Sequence, residues 1–247
     1  MFELVKRILR ANSTARKWRE VWVGIEDSRN TAVKRFAEIC VAKNVTVVMD
    51  VGANVGQFSR DLRRNHFKGT IFSFEPVHST FQVLSRNFRN DSGWVGLQLG
   101  VGSSEGKLDI QVSANSGLST SFMDMESKHL KNFPNSVFVG LETVEVTTLS
   151  NQISQLGINP KFLAVKIDVQ GFELEVLKGL ISELKDVKCL LIEASLIPLY
   201  VGEPTLKELI DFLNLHNHEV KDMFRGVKSK SGDLLQVDLI TTSEASN

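Results

Sequence analysis

The run Val47-Val-Met-Asp50-Val-Gly52-Ala-Asn54-Val-Gly56-Gln-Phe-Ser59 constrains this chain more than any other segment. An apolar, β-branched stretch ends in an acid, breaks at glycine and passes into amphipathic spacing, which reads as strand, tight turn and helix. Glycine at 52 and 56 allows a sharp backbone turn and lets a ligand approach the main chain with no Cβ in the way. Such a turn at the end of a first strand implies a nucleoside-type cofactor.

Subtraction narrows the cofactor. A phosphate-binding loop needs Gly-Lys-Ser/Thr, and residues 52–59 contain no basic side chain. The dinucleotide fingerprint wants glycine at relative positions 0, 2 and 5, where this chain has Gly52, Asn54 and Gln57. Asp50 would sit badly beside a pyrophosphate, yet it suits a ligand carrying ammonium and sulfonium charges. S-adenosyl-L-methionine has both. Ile71-Phe-Ser-Phe-Glu75-Pro76 then places a second carboxylate at a strand end, where it can accept hydrogen bonds from both ribose hydroxyls. Helix capping or solvated strand ends are the alternative for the two acids.

The rest of the chain fits an α/β protein with a doubly wound, mostly parallel sheet. Short apolar runs at Thr46–Val51, Thr70–Phe74, Val95–Val101, Phe162–Asp168 and Cys189–Glu193 alternate with helical spacing at Gln57–Asn65, Thr80–Phe88, Glu173–Leu180 and Thr205–His216. Late strands are expected at His218–Phe224 and Leu234–Thr241. Lys107–Val112 and Val137–Thr147 alternate like antiparallel strands, so a β-rich insertion is expected before the fourth strand, over the ligand-binding edge. Residues 1–43 read as an N-terminal helical extension and 44–247 as the cofactor-binding domain.

With 29 basic and 29 acidic residues among 247, the formal charge is zero, and no broad field draws the chain to nucleic acid. Two cysteines in unrelated contexts, Cys40 and Cys189, form no disulfide framework and fit a reducing cytoplasm. No apolar run approaches the roughly 18–20 residues of a membrane span. The basic N-terminal cluster (Lys6, Arg7, Arg10, Arg16, Lys17, Arg19) with Trp18 and Trp22 suggests either packing on the core or a second subunit, or a peripheral site on the inner face of a membrane.

The segment Phe162-Leu-Ala-Val-Lys166-Ile-Asp168-Val-Gln170-Gly171-Phe-Glu173-Leu-Glu-Val-Leu-Lys-Gly179 is a buried strand that ends in an acid, turns at glycine and becomes a helix. Taken with Asp50-Val-Gly-Ala-Asn-Val-Gly56 and Phe74-Glu-Pro76, it resembles the FkbM-type S-adenosylmethionine-dependent methyltransferases, from about Val45 to Thr241. The resemblance implies the class I methyltransferase fold, a Rossmann-like seven-stranded sheet with its last strand antiparallel. It also implies O-methylation of a hydroxyl on a sugar, glycan or polyketide-like metabolite. Family members commonly carry Glu where this chain has Gln170.

The expected cofactor-binding residues are Asp50, Gly52, Ala53, Asn54, Gly56, Glu75, Pro76 and Val101. Asp168 is the first choice for a base or acceptor-orienting group, with Glu193 at the end of the adjacent strand and His129 in the polar insertion as further candidates. Asp168 alternatively caps the following helix or bonds the cofactor's amino end. A divalent metal held by Asp168 and a neighbouring carboxylate is not favoured without Glu at 170, so no metal ligand is assigned. His66, His216 and His218 are expected at solvated helix ends or connections. Competing readings are a non-catalytic protein of the same fold and a nicotinamide-dependent oxidoreductase.

Overall fold

A computed structural model describes residues 29–113, 120–126, 138–229 and 231–243. His129 and the basic cluster with Trp18 and Trp22, on which the membrane and oligomer expectations rest, lie outside the described residues. The elements are α1 (Arg29–Ala42), β1 (Val47–Val51), α2 (Gln57–Arg64), β2 (Thr70–Phe74), α3 (His78–Phe88), β3 (Trp94–Leu97), β4 (Gly100–Val101), β5 (Gly106–Ser113) and β6 (Phe138–Thr147). They continue with α4 (Leu149–Gln155), β7 (Leu163–Ile167), α5 (Glu173–Lys178), β8 (Cys189–Ser195), α6 (Leu206–Leu215), β9 (His218–Arg225) and β10 (Gln236–Ser243).

Seven strands form one sheet in the order β3-β2-β1-β7-β8-β10-β9, and β4-β6-β5 form a second. β1 pairs in parallel with β2 on one side and β7 on the other, so the winding direction reverses between β1 and β7. Open α/β sheets bind ligands at such a switch point, outside the carboxyl ends of the strands. β10 enters antiparallel between β8 and β9.

Period-2 alternation assigns the central strands to two cores. Met49, Val51, Leu163, Val165 and Ile167 face a layer holding Val176, Leu177, Leu209 and Leu213 from α5 and α6. Val48, Ala164, Leu191 and Ile240 face the other way, against Phe36 and Cys40 of α1 and Phe58 and Leu62 of α2. Because both faces are covered, β1 and β7 read as near-continuous apolar runs. α6 begins at a capping box in which Thr205 and Glu208 satisfy each other's backbone N–H groups. No helix among the described residues is long and apolar enough to cross a membrane.

The structure corrects the boundaries in three places. The third strand, expected as one run over Val95–Val101, is split: Trp94–Leu97 pairs with β2, whereas Gly100–Val101 pairs with β6 in the second sheet. The last bond of that ladder runs from the Glu75 N–H to Leu97 O, and the next residue, Pro76, has no N–H to extend it. α4 was not expected, since Leu-Ser-Asn-Gln-Ile-Ser-Gln is polar and short; the Thr148 side chain caps it by accepting from Asn151 N–H. His218 is fully buried, not solvated: its ring lies 3.1 Å from Thr241 Oγ1 and 2.8 Å from Leu184 O, and burial lowers its pKa to about 4.

The β5–β6 insertion matches the expected antiparallel pair. From it, residues 120–126 lie across the carboxyl end of the main sheet, held by bridges from Ser121 to Gln111 and from Met125 to Tyr200.

Candidate functional site

At the switch point lies a cavity of about 300 Å³, in the range of small-ligand sites. Its floor is the β1–α2 turn, Gly52 to Asn54. One wall carries Glu75 and Pro76, the opposite one Lys166 and Asp168 to Gln170, and Thr120 to Phe122 come from the insertion. Glu193 and Gln236 also line it.

Gly52 sits at φ 74°, and a Cβ there would lie 1.9 Å from the Asp168 carbonyl oxygen. The glycine is therefore required chiefly by the packing of this turn on the end of β7. Asp168 N–H completes the contact by donating to Val51 O at 3.2 Å. Gly56, at φ 90°, packs against Phe88 and Leu84 of α3 and is not among the residues lining the cavity. Asn54 also adopts a left-handed φ of 49°, a region open to asparagine at modest cost.

Glu75 joins the turn to the start of α3. Its Oε2 accepts from Asn54 N–H and its Oε1 from Val77 N–H, both at 3.0 Å. A carboxylate has about four acceptor positions, so two remain for a ligand. Burial outweighs these two bonds and raises the Glu75 pKa to about 7.

Asp50 is wholly buried and stands behind the wall. Its Oδ2 accepts from Ser59 Oγ at 2.7 Å, and Oδ1 lies 3.1 Å from Lys166 Nζ in an ion pair without hydrogen-bond geometry. Direct contact with a ligand's ammonium is thus not what this side chain makes here. Lys166, which sequence reasoning gave no role, is the hub: Nζ donates to Val51 O at 3.1 Å and Gly52 O at 2.7 Å and lies 3.7 Å from Asp168 Oδ2. The signal was present, since a lysine inside an apolar buried strand needs acidic partners.

Asp168 and Glu193, the two carboxylates considered for the base, are bridged by Gln170. Its Nε2 donates to Asp168 Oδ1 and to Glu193 Oε2, each at 2.8 Å, while its Oε1 accepts from Tyr200 OH at 2.9 Å. Gln236 Nε2 donates to the same Glu193 oxygen at 2.8 Å. Buried Glu173 holds the loop beneath, accepting from Val169 N–H at 3.1 Å and from Gly171 N–H. Desolvation and the nearby Glu203 raise the Glu173 pKa to about 8. Among the described residues no group of three or more His, Cys, Asp or Glu side chains is arranged to hold a metal ion.

The chemistry of these donors fits a nucleoside ligand without phosphates. The turn offers no basic side chain, Lys166 faces Asp50 and Asp168, Glu75 presents spare acceptor capacity for a diol, and Pro76, Leu99, Val101 and Phe122 provide apolar surface for a base.

The family model of the methyltransferase FkbM domain matches residues 50–220. The chain is 29% identical over 184 residues to a hexuronic acid methyltransferase of Haloferax volcanii, covering 74% of this chain and 70% of that one. It is 26% identical over 208 residues to a 2-O-methyltransferase of Sinorhizobium fredii, covering 81% and 85%. Methyltransferase 1 of Beauveria bassiana is 31% identical over 147 residues, 55% of this chain and 59% of its own, so the chain spans about three fifths of that relative. A solved Klebsiella pneumoniae structure, provisionally described as an O-methyltransferase, superposes with a TM-score of 0.52 at 10% identity, over 98% of this chain and 90% of that one.

Proposed function

Since this chain belongs to the FkbM methyltransferase family and has the Rossmann-like fold of the class I methyltransferases, we propose that it transfers a methyl group from S-adenosyl-L-methionine to a hydroxyl of a sugar, glycan or polyketide-like metabolite. One observation carries this reading: the cavity joins a buried carboxylate with free acceptor capacity, Glu75, to a second carboxylate, Asp168, across a turn with no basic side chain.

In this reading Glu75 accepts both ribose hydroxyls, and Pro76, Leu99, Val101 and Phe122 flank the base. Gly52, Ala53 and Asn54 present the backbone edge of the turn. When bound, the cofactor supplies an electrophilic methyl whose sulfonium leaves as a neutral thioether. Asp168 takes the proton that the acceptor hydroxyl releases as its oxygen bonds to the methyl carbon; the other carboxylate oxygen stays held by Gln170. Lys166, 3.7 Å from Asp168 Oδ2 and bonded to Val51 O and Gly52 O, ties it to the turn. Alignment of acceptor oxygen with methyl carbon supplies much of the rate, on the order of 7–11 kcal/mol in favourable intramolecular cases. Gln170, Glu193, Gln236 and Ser121 offer hydrogen bonds to a polyhydroxylated acceptor; the name of the Haloferax relative supports a sugar-type acceptor and that of the Sinorhizobium relative supports methylation on oxygen.

Isothermal titration with S-adenosylhomocysteine and with NAD tests the cofactor assignment. We expect the first to bind and the second not; NAD binding alone would overturn it. For the base, Asp168→Asn is expected to leave S-adenosylhomocysteine affinity within a few-fold while lowering turnover at least about a hundredfold. Unchanged turnover would remove Asp168 from the mechanism.

A further inference from the structure

Tyr200 is the one tyrosine of the chain and is fully buried, and sequence reasoning gave it no role. A buried tyrosine brings a large apolar ring and a hydroxyl that needs a partner. Here both ends serve the loop that follows β7. The hydroxyl donates to Gln170 Oε1 at 2.9 Å, and the nitrogen of the same carboxamide donates to Asp168 Oδ1 at 2.8 Å. The ring lies against Gly171: a Cβ there would come within 3.0–3.1 Å of Tyr200 Cβ, Cγ and Cδ2, and Gly171 stands at φ 102°. Glycine at 171 is thus what lets the tyrosine close on the loop.

The same tyrosine is tied to the insertion. Around an antiparallel bridge between Met125 and Tyr200, Glu126 N–H donates to Leu199 O and Val201 N–H to Asp124 O, each at 2.8 Å. From the other side Glu203 Oε2 accepts from the N–H groups of Leu199, at 2.6 Å, and of Tyr200, at 3.1 Å. The insertion then returns to the loop: Ser121 Oγ donates to Gln170 O at 2.6 Å, and the Phe122 and Phe172 rings stand 5.1 Å apart. Residues 170–172 are therefore gripped by Tyr200 and by Ser121 and Phe122, and the two grips are joined through residues 124–126. The direction of the carboxamide follows from this network, because the reversed amide would set Oε1 against Asp168 Oδ1 and Glu193 Oε2, each 2.8 Å from Nε2.

We infer that Tyr200 is a positioning residue for the acceptor end of the site: its hydroxyl sets the Gln170 carboxamide, and the carboxamide sets the Asp168 carboxylate at the cavity wall. The inference rests on the reading of Asp168 as the base. Tyr200 is not among the residues that line the cavity, whereas Gln170 and Asp168 are, so the tyrosine acts through its neighbour and touches no reactant. Placement of this kind bears on rate, since a shift of about 1 Å in a reacting group can cost on the order of a hundredfold.

The test needs no acceptor. Tyr200→Phe keeps the ring and removes the hydroxyl. Nuclear magnetic resonance follows the Gln170 side-chain NH₂, assigned by its loss in Gln170→Met, and the Asp168 carboxyl ¹³C, assigned by its loss in Asp168→Asn, in the wild type and in Tyr200→Phe. We expect the Gln170 NH₂ of Tyr200→Phe to exchange with water at least about fivefold faster, as the loss of one ordinary hydrogen bond implies, and the Asp168 signal to move with it. S-adenosylhomocysteine affinity, from isothermal titration, is expected to stay within a few-fold. With one tyrosine in the chain, ¹³Cζ-tyrosine labelling gives one ring signal, which is expected to shift in Gln170→Met. Gln170 and Asp168 signals in Tyr200→Phe identical to those of the wild type overturn the proposal. So does a loss of S-adenosylhomocysteine affinity beyond about tenfold, which would make the hydroxyl a support of the whole site. Should Tyr200→Phe fail to fold, the ring signal decides: one that stays in place in Gln170→Met overturns the proposal. Unchanged turnover in Asp168→Asn would bring down the reading of the base, while the spectra still decide whether Tyr200 holds Gln170 and Asp168.

Discussion

Glu75 shows how one side chain links burial to pH. Burial raises its pKa to about 7 from an ordinary value of 4.5, against the pull of two backbone N–H donors. A ribose diol donates to the carboxylate and so favours its ionised form, which makes binding expel the proton. S-adenosylhomocysteine affinity is therefore expected to be flat above about pH 7 and to fall by up to about tenfold per pH unit below it. Glu75→Gln should bind more weakly with no such slope, whereas an identical slope in the variant would assign the dependence to another group. The stability linkage has the opposite sense. A raised carboxyl pKa adds stability that is complete below about pH 4.5 and is lost as pH rises through about 7, so the melting temperature of Glu75→Gln should change less over that interval. That Glu75 and Asp168 would line one cavity was legible, because each ends a parallel strand at the same sheet edge. The roles of Asp50 and Lys166 were not, because which acid lies on the wall and which behind it depends on how β1 and β7 sit side by side.

At the scale of the element, the β1–α2 turn is built on contact between backbones. The pattern of Gly52 and Gly56 was readable, but its physical reason was not: the space a Cβ would need is taken by the Asp168 carbonyl at one glycine and by the Phe88 ring at the other. Gly52→Ala is expected to destabilise the protein by about 2–4 kcal/mol in denaturant unfolding, through overpacking together with an unfavourable φ, and to abolish S-adenosylhomocysteine binding. Gly140→Ala, on exposed β6 with nothing within 4 Å of the new Cβ, is the matched control and should change stability by under about 1 kcal/mol. Similar losses at both positions would contradict the packing account. The break after Leu97 was hidden for a related reason. Val95–Val101 is apolar but for Gln98, and only the partner strand, which reaches Pro76, tells where the pairing must stop.

For the whole molecule, alternation of apolar runs with helical spacing was enough to foresee a doubly wound sheet, because covered parallel strands leave that trace. The antiparallel last strand followed from the family resemblance and not from periodicity, because β10 entering between β8 and β9 leaves no local mark. Acceptor specificity belongs to this scale too, since the cavity is closed by β1, β7, β8 and β10 together with the insertion over them. A site made by so many elements declares its substrate only through the reaction. The decisive measurement is mass spectrometry of the purified protein incubated with methyl-deuterated S-adenosyl-L-methionine and a panel of sugars, glycolipid intermediates and polyhydroxylated metabolites, with Asp168→Asn alongside. The account predicts a product carrying the deuterated methyl on a hydroxyl oxygen, formed by the wild type and reduced at least about a hundredfold in the variant. A label found on carbon or nitrogen, or formed equally by the variant, would contradict it.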